Sequence, residues 1–290
     1  MKIKESIKEW GLNGDENFPS EANVILASKS LSRESLTMWI LLLVLSLLTI
    51  YALFTIDYRS VDLAKAVADT LDNFKTIFLH PAAHRLSLWD ACYEVVITLG
   101  LAFLTTLFGG VIALFLGLLA AQNLAPKQVT NLIKGFVAFI RAVPSILWVL
   151  IFAVAAGLGS VAAVIGLTFH SVSYLTKAYS ESFEELDRSV IEALMASGAN
   201  WWQIVFQAVI PSSVTSLLSW TFMRFEMNFA NAVAMGAAAG AAGIGFDLFM
   251  DSGFYFDLHE IGLVTYFIIG FAILLETIST NLKGKIQKKA

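Results

Sequence analysis

Arg224, Glu226 and Asn228 stand in the middle of an apolar run covering 208–242. A charged side chain at the centre of a bilayer costs about 2.5–3.5 kcal/mol on insertion scales, so such a residue faces protein or water. Arg224 and Asn228 are four apart and share a helical face, whereas Arg224 and Glu226, two apart, do not. Two roles are open to Arg224. It lines a polar path and meets an anion, or it pairs with a carboxylate on another helix and holds a bundle together. His170, Tyr174 and Lys177 follow one another at spacings of four and three, so they also share one helical face. Along a path they would form a cationic, hydrogen-bonding stripe. In the alternative, His170 packs between helices and Lys177 snorkels its ammonium to the membrane surface.

Catalysis finds little support. The sequence has no clustered nucleophile and base, and it lacks G-x-x-x-x-G-K-[ST], the loop that cradles nucleotide phosphates. No cofactor is therefore expected on this chain. His80 and His84 have helical metal spacing, but Pro81 lies between them and no third ligand is evident, so no metal site is expected. The single Cys92 cannot form an internal disulfide and reads as a small packing residue. A formal net charge of −4 gives no nucleic-acid signal.

The elements that must position these residues are membrane helices. Of the 290 residues, 57% are hydrophobic and only 14% are charged, against about 25% charged in soluble domains. Mean hydropathy is +0.72. Six spans are predicted: 38–56, 93–122, 135–157 (interrupted by Arg141 and Pro144), 161–180, 208–242 and 261–281. Each has the ~20 residues that lipid demands of a helix, or more. The fold class is thus all-α and polytopic. Segment 1–36 precedes the first span, 37–90 holds that span and a polar stretch, 91–282 holds the other five, and 283–290 is a basic tail. Counted by loop, thirteen Lys and Arg fall on one side and four on the other. The richer side is the cytoplasmic one by the positive-inside rule, so both termini are expected there.

The stretch 192–211, EALMASGANWWQIVFQAVIP, lies on that same side between spans four and five. It reads as two short helices broken at Gly198 and stopped by Pro211, with an apolar patch of Trp201, Trp202, Ile204, Val205 and Phe206. On these residues alone it either lies on the membrane surface, where tryptophan is at home, or docks to a partner.

Here the spacing of Glu192 and Ala193, Gly198 and Pro211 resembles the EAA loop of ABC importer permeases, with Leu194, Ala208 and Ile210 as apolar-for-apolar departures. Arg141-Ala142-Val143-Pro144 with Trp148, Gly157-Leu158-Gly159, His170, Arg224 to Asn228, and Ala242-Gly243-Ile244-Gly245 are similar to the phosphonate-type branch. That branch has a further glycine where Ala242 stands. The resemblance covers 93–285. It implies that Glu192, Ala193, Gly198 and Pro211 belong to coupling helices gripped by a cytoplasmic ABC ATPase dimer, which binds the ATP. It implies an outer gate at Gly240, Gly243 and Gly245, facing an extracytoplasmic solute-binding protein. It implies a second permease copy or paralogue, a lipid surround and a bacterial plasma membrane. The cargo it implies is a small oxyanion: phosphonate, phosphite or a phosphate ester. Arg224, Asn228, Glu226, His170 and Tyr174 are the candidate pathway residues. The alternatives are another small solute, such as an amino acid, or a secondary transporter working through Glu226, His170 and Arg224. The last requires matching broken spans in both halves, and only one half has a loop like 192–211.

Overall fold

The computed structural model describes residues 33–55 and 62–287. Most of the 1–36 segment, Ile56 at the end of the first expected span, and residues 288–290 of the tail lie outside the described residues. Every regular element among the described residues is a helix. These residues fall into two units that divide between Ala66 and Val67. The first unit holds α1 (Arg33–Thr55), uncharged and apolar from Ser35 onward and long enough to cross a bilayer. Helix α2 (Leu63–Leu79) crosses the division.

The second unit is a helical bundle. Helix α3 (Leu88–Ala120) starts at a capping box: Asp90 N–H donates to Ser87 Oγ (3.2 Å), and Ser87 N–H donates to Asp90 Oδ2 (3.3 Å). The expected third span is two helices, α4 (Lys127–Ala142) and α5 (Ser145–Ala156), bent by 89°. The corner is Val143, held extended (φ −93°, ψ 125°) because Pro144 disfavours helical geometry in the residue before it. Trp148 Nε1–H donates to Ile140 O at 3.0 Å, taking one of the carbonyls that the end of α4 leaves free.

Helix α6 (Ser160–Glu184) is the most enclosed element, packed against α3, α4 and α5. Its buried residues include many small ones, among them Ala162, Ala163, Gly166, Ser171 and Ser173. A Cβ on Gly109 of α3 would sit 2.7 Å from Ser171 Cβ, so the two helices touch at that level. Lipid tails are as apolar as leucine, so close packing and hydrogen bonds, rather than transfer from water, hold such helices together. Among the described residues four helices are long and apolar enough to span, or five if the bent α4–α5 pair counts as one. The expected fourth span falls on α6, which is outside this set. Its serines, threonines, His170 and Lys177 lower its apolarity, and it tolerates them because its partners are protein.

After α6 come α7 (Arg188–Ala196), α8 (Trp201–Ile204), a π-helical turn (Val205–Val209), α9 (Ile210–Ala239), α10 (Ile244–Met250), a second π-helical turn (Asp251–Tyr255) and α11 (Leu258–Gln287). Pro211 was expected to stop the helix, but the helix runs through it. Proline lacks an N–H and its ring crowds the carbonyl four residues back. The wider π turn just before it, with Ile210 N–H reaching Val205 O, absorbs that misfit.

Candidate functional site

Helices α3, α6 and α9 converge on Arg224, whose side chain has 0% exposure. Its Nε–H donates to Ser171 Oγ at 3.1 Å. Its Nη2 lies 3.0 Å from His170 Nδ1. An arginine N–H only donates, so Nδ1 accepts, and the proton of the neutral imidazole sits on Nε2. The Tyr174 ring lies 5.2 Å from the guanidinium carbon, within cation–π range. Ser171 Oγ–H donates to Asn228 Oδ1 (3.1 Å), and Asn228 Nδ2–H donates to Thr106 Oγ1 (2.9 Å). Arg224 Nη1 has no partner. Among the described residues no carboxylate pairs with Arg224.

Four of the candidate pathway residues, Arg224, Asn228, His170 and Tyr174, therefore meet in one place. Glu226 does not. It turns the other way, where its Oε1 lies 3.6 Å from Lys283 Nζ on α11. Lys177 lies further along the α6 stripe and faces Glu181 at 3.6 Å. Two members of the network went unrecognised in the sequence, Ser171 and Thr106. Their only signal is a hydroxyl in an apolar run, and such hydroxyls are common because they can bond to their own helix, as Thr106 does to Ala102 O (2.7 Å).

The 192–211 stretch forms a helix, a turn and a helix. Asp187 caps α7, accepting from Ser189 N–H at 2.9 Å, and that bond holds its carboxyl below the usual carboxylate range. At the other end Gly198 N–H donates to Met195 O and Ala199 N–H to Leu194 O, both at 3.0 Å, which is a Schellman stop. Gly198 takes φ +86°, a conformation open to glycine at little cost. Asn200 and Gln203 then form a reciprocal capping box for α8 (2.9 and 2.7 Å), another feature the sequence reading passed over. The expected apolar patch divides. Ile204 and Val205 are buried with Ile191, Leu118, Leu175 and Phe183, and Trp201 Nε1–H donates to Leu124 O at 2.9 Å. Trp202 and Phe206 stay exposed and stack on each other. Glu192, Ala193, Met195 and Gly198 are exposed beside them. The segment thus seals its apolar underside onto its own bundle and leaves a free outer edge.

At the opposite end of α9, Gly240 (φ +63°) and Gly243 (φ +106°) turn the chain so that α10 folds back. Gly243 backs onto Thr98, Gly245 rests on Val233 O, and Ile244 N–H donates to Thr98 Oγ1 at 3.0 Å. Nearby, the loop after α2 is clamped. Arg85 Nε–H meets Glu260 Oε2 at 3.2 Å, Arg85 Nη2–H meets Asp251 Oδ1, and the Tyr255 ring lies 3.4 Å from the guanidinium carbon. Some burial works against the Arg85 charge, but Asp251 and Glu260 outweigh it and raise the pKa above the ordinary arginine value. His84 Nδ1 lies 2.6 Å from Asp257 Oδ2. Burial alone would raise the Asp257 carboxyl, but the His84 hydrogen bond and the N–H groups of His259 and Glu260 bring it below the usual range.

A bundle of apolar helices with a buried cation at its centre and a helical loop presented at one end is the membrane-embedded part of a transport system. Residues 113–289 match the family of binding-protein-dependent transport system inner membrane components, and the chain belongs to that family. The phosphate-import permease protein PhnE of Mycolicibacterium smegmatis is 29% identical over 178 residues, which cover 61% of this chain and 33% of that protein. The phosphite transport system permease protein PtxC of Stutzerimonas stutzeri is 30% identical over 187 residues, covering 64% of this chain and 67% of that protein. The chain therefore spans one third of the first relative and about two thirds of the second. In fold it is similar to the inward-facing MetNI methionine ABC transporter (TM-score 0.64, 21% identity), over 70% of this chain and 99% of that one.

Proposed function

We propose that this chain is one membrane half of an ATP-driven importer for a small phosphorus oxyanion: phosphonate, phosphite or phosphate. The observation that carries the cargo class is Arg224, fully buried, without a carboxylate and with one guanidinium nitrogen free. The names of PhnE and PtxC agree with that chemistry. With α6 counted as a span, the chain crosses six times and keeps both termini in the cytoplasm of a bacterial cell. A second copy or paralogue, related by a two-fold axis, completes the path. A cytoplasmic ATPase dimer holds the ATP and grips the free edge of α7 around Glu192, Ala193 and Gly198. A solute-binding protein delivers cargo at the end marked by Gly240, Gly243 and Gly245. Closing of the ATPases pulls on α7, and the shared apolar cluster passes that motion to α6 and α9, on which the Arg224 site is built.

The transport assay is uptake in proteoliposomes holding the chain with its cognate ATPase and binding protein. Phosphite, methylphosphonate and inorganic phosphate are supplied in turn, each with an excess of an amino acid as competitor. Accumulation of one phosphorus oxyanion, insensitive to the amino acid, agrees with the proposal. Accumulation of the amino acid alone replaces it with the alternative cargo.

A further inference from the structure

A half-open cleft of about 140 Å³ lies between α4 and α6, apart from the Arg224 network. Its polar lining is Lys134, Arg141, Thr176, Lys177, Ser180 and Glu181. Three of these are cations and one is an anion. Lys134 is committed to Glu184 at 2.9 Å. Lys177 and Glu181 stand 3.6 Å apart with about half of each side chain in contact with solvent, and exposed pairs of this kind contribute only ~0–1 kcal/mol. Arg141 has no ion-pair partner among the described residues. Thr176 is 1% exposed, and its hydroxyl has no hydrogen-bond partner. A buried hydroxyl left in that state costs about 1–3 kcal/mol.

We infer that this cleft binds a small tetrahedral oxyanion. Arg141 supplies a planar fork of donors and Lys177, held only by its solvated pair with Glu181, a point charge, which is the set that phosphate-like groups take. The space is about ten times the ~10–15 Å³ that one water needs, so it admits a tetrahedral anion with its hydration incomplete. The shared chemistry has two sources, a free phosphorus oxyanion and the phosphate headgroup of a membrane lipid. The cleft depends on its own residues and not on the transport proposal.

The test uses the full chain with its partner subunits, in nanodiscs of phosphatidylcholine with or without phosphatidylglycerol, at constant ionic strength. Inorganic phosphate binding is read by ³¹P NMR line broadening, and retained phosphatidylglycerol by native mass spectrometry. The cleft variants are Arg141→Gln, Lys177→Gln and the two together, all at exposed positions. Lys127→Gln, on α4 outside the cleft, is the charge control. Phosphate binding in phosphatidylcholine discs, weakened about tenfold by the cleft variants and unchanged by the control, identifies a free oxyanion as the ligand. Phosphatidylglycerol retention with the same variant pattern identifies the headgroup. Binding of neither ligand, or binding that the cleft variants leave unchanged, overturns the inference. Failure of the uptake assay for every phosphorus oxyanion, with cleft binding intact, would remove the transport proposal and leave this one standing.

Discussion

Arg224 is fully buried, yet every contact it makes is to a neutral group. Removing it takes away the charge without stranding a carboxylate. Arg224→Ala is therefore expected to assemble with its partners and to lose oxyanion uptake, checked by co-purification and transport side by side. Loss of assembly instead would give Arg224 a structural role. Ser171→Ala strands Arg224 Nε and weakens the hold on Asn228, at a cost of about 1–3 kcal/mol, measurable as a fall in the unfolding midpoint of the detergent-solubilised protein. Helical periodicity made half of this site legible: four-residue steps put Arg224 with Asn228, and His170 with Tyr174. Periodicity is silent about which helix faces which. It therefore did not show that Glu226 turns toward Lys283, or that Ser171 and Thr106 stand between the two faces.

At the level of elements, the loop from α7 to α8 is specified by local rules. Asp187 and Asn200 start its helices and Gly198 stops the first. A side chain at the left-handed Gly198 position costs roughly 1–2 kcal/mol, so Gly198→Ala should lower stability by about that much while membrane insertion proceeds. Glu192→Lys reverses an exposed charge and costs the fold little, since its pair with Arg188 (3.4 Å) is solvated. Its expected effect is lost ATPase co-purification, and retained co-purification would remove α7 as the docking element. The clamp at the other end titrates. The folded Asp257 carboxyl lies below its unfolded value of about 3.9, so its contribution is complete above that pH and disappears as pH falls through the lower folded pKa. Thermal unfolding should therefore separate wild type from Asp257→Asn at neutral pH and bring them together below about pH 4. Gly198 and the Pro144 corner were legible because glycine and proline restrict the backbone by themselves. Passage of the helix through Pro211 was not, because it depends on the π turn Val205–Val209 that precedes it.

For the whole molecule, composition pointed to a membrane protein, in agreement with the family match, and the span pattern pointed to an all-α fold, in agreement with the all-helical elements among the described residues. The number of spans was harder to read. A helix enclosed by protein, such as α6, need not be apolar, and a corner read at Pro144 does not say whether α4 and α5 make one span or two. Orientation rests on charge. With Cys92 replaced by Ala, a cysteine at Lys289 should resist a membrane-impermeant maleimide in intact cells and react after permeabilisation. Labelling in intact cells would invert the topology and move the proposed ATPase edge to the wrong side. The central claim is that a phosphorus oxyanion crosses the membrane past Arg224, driven by a separate ATPase. The most direct measurement is ATP-dependent uptake of labelled phosphite, methylphosphonate and phosphate into proteoliposomes holding the complete transporter, wild type against Arg224→Ala. The account predicts that one of these anions accumulates with wild type and falls to background with Arg224→Ala, while the variant complex stays assembled. Wild-type uptake by the assembled Arg224→Ala complex, or accumulation of none of the three anions by the wild type, would contradict it.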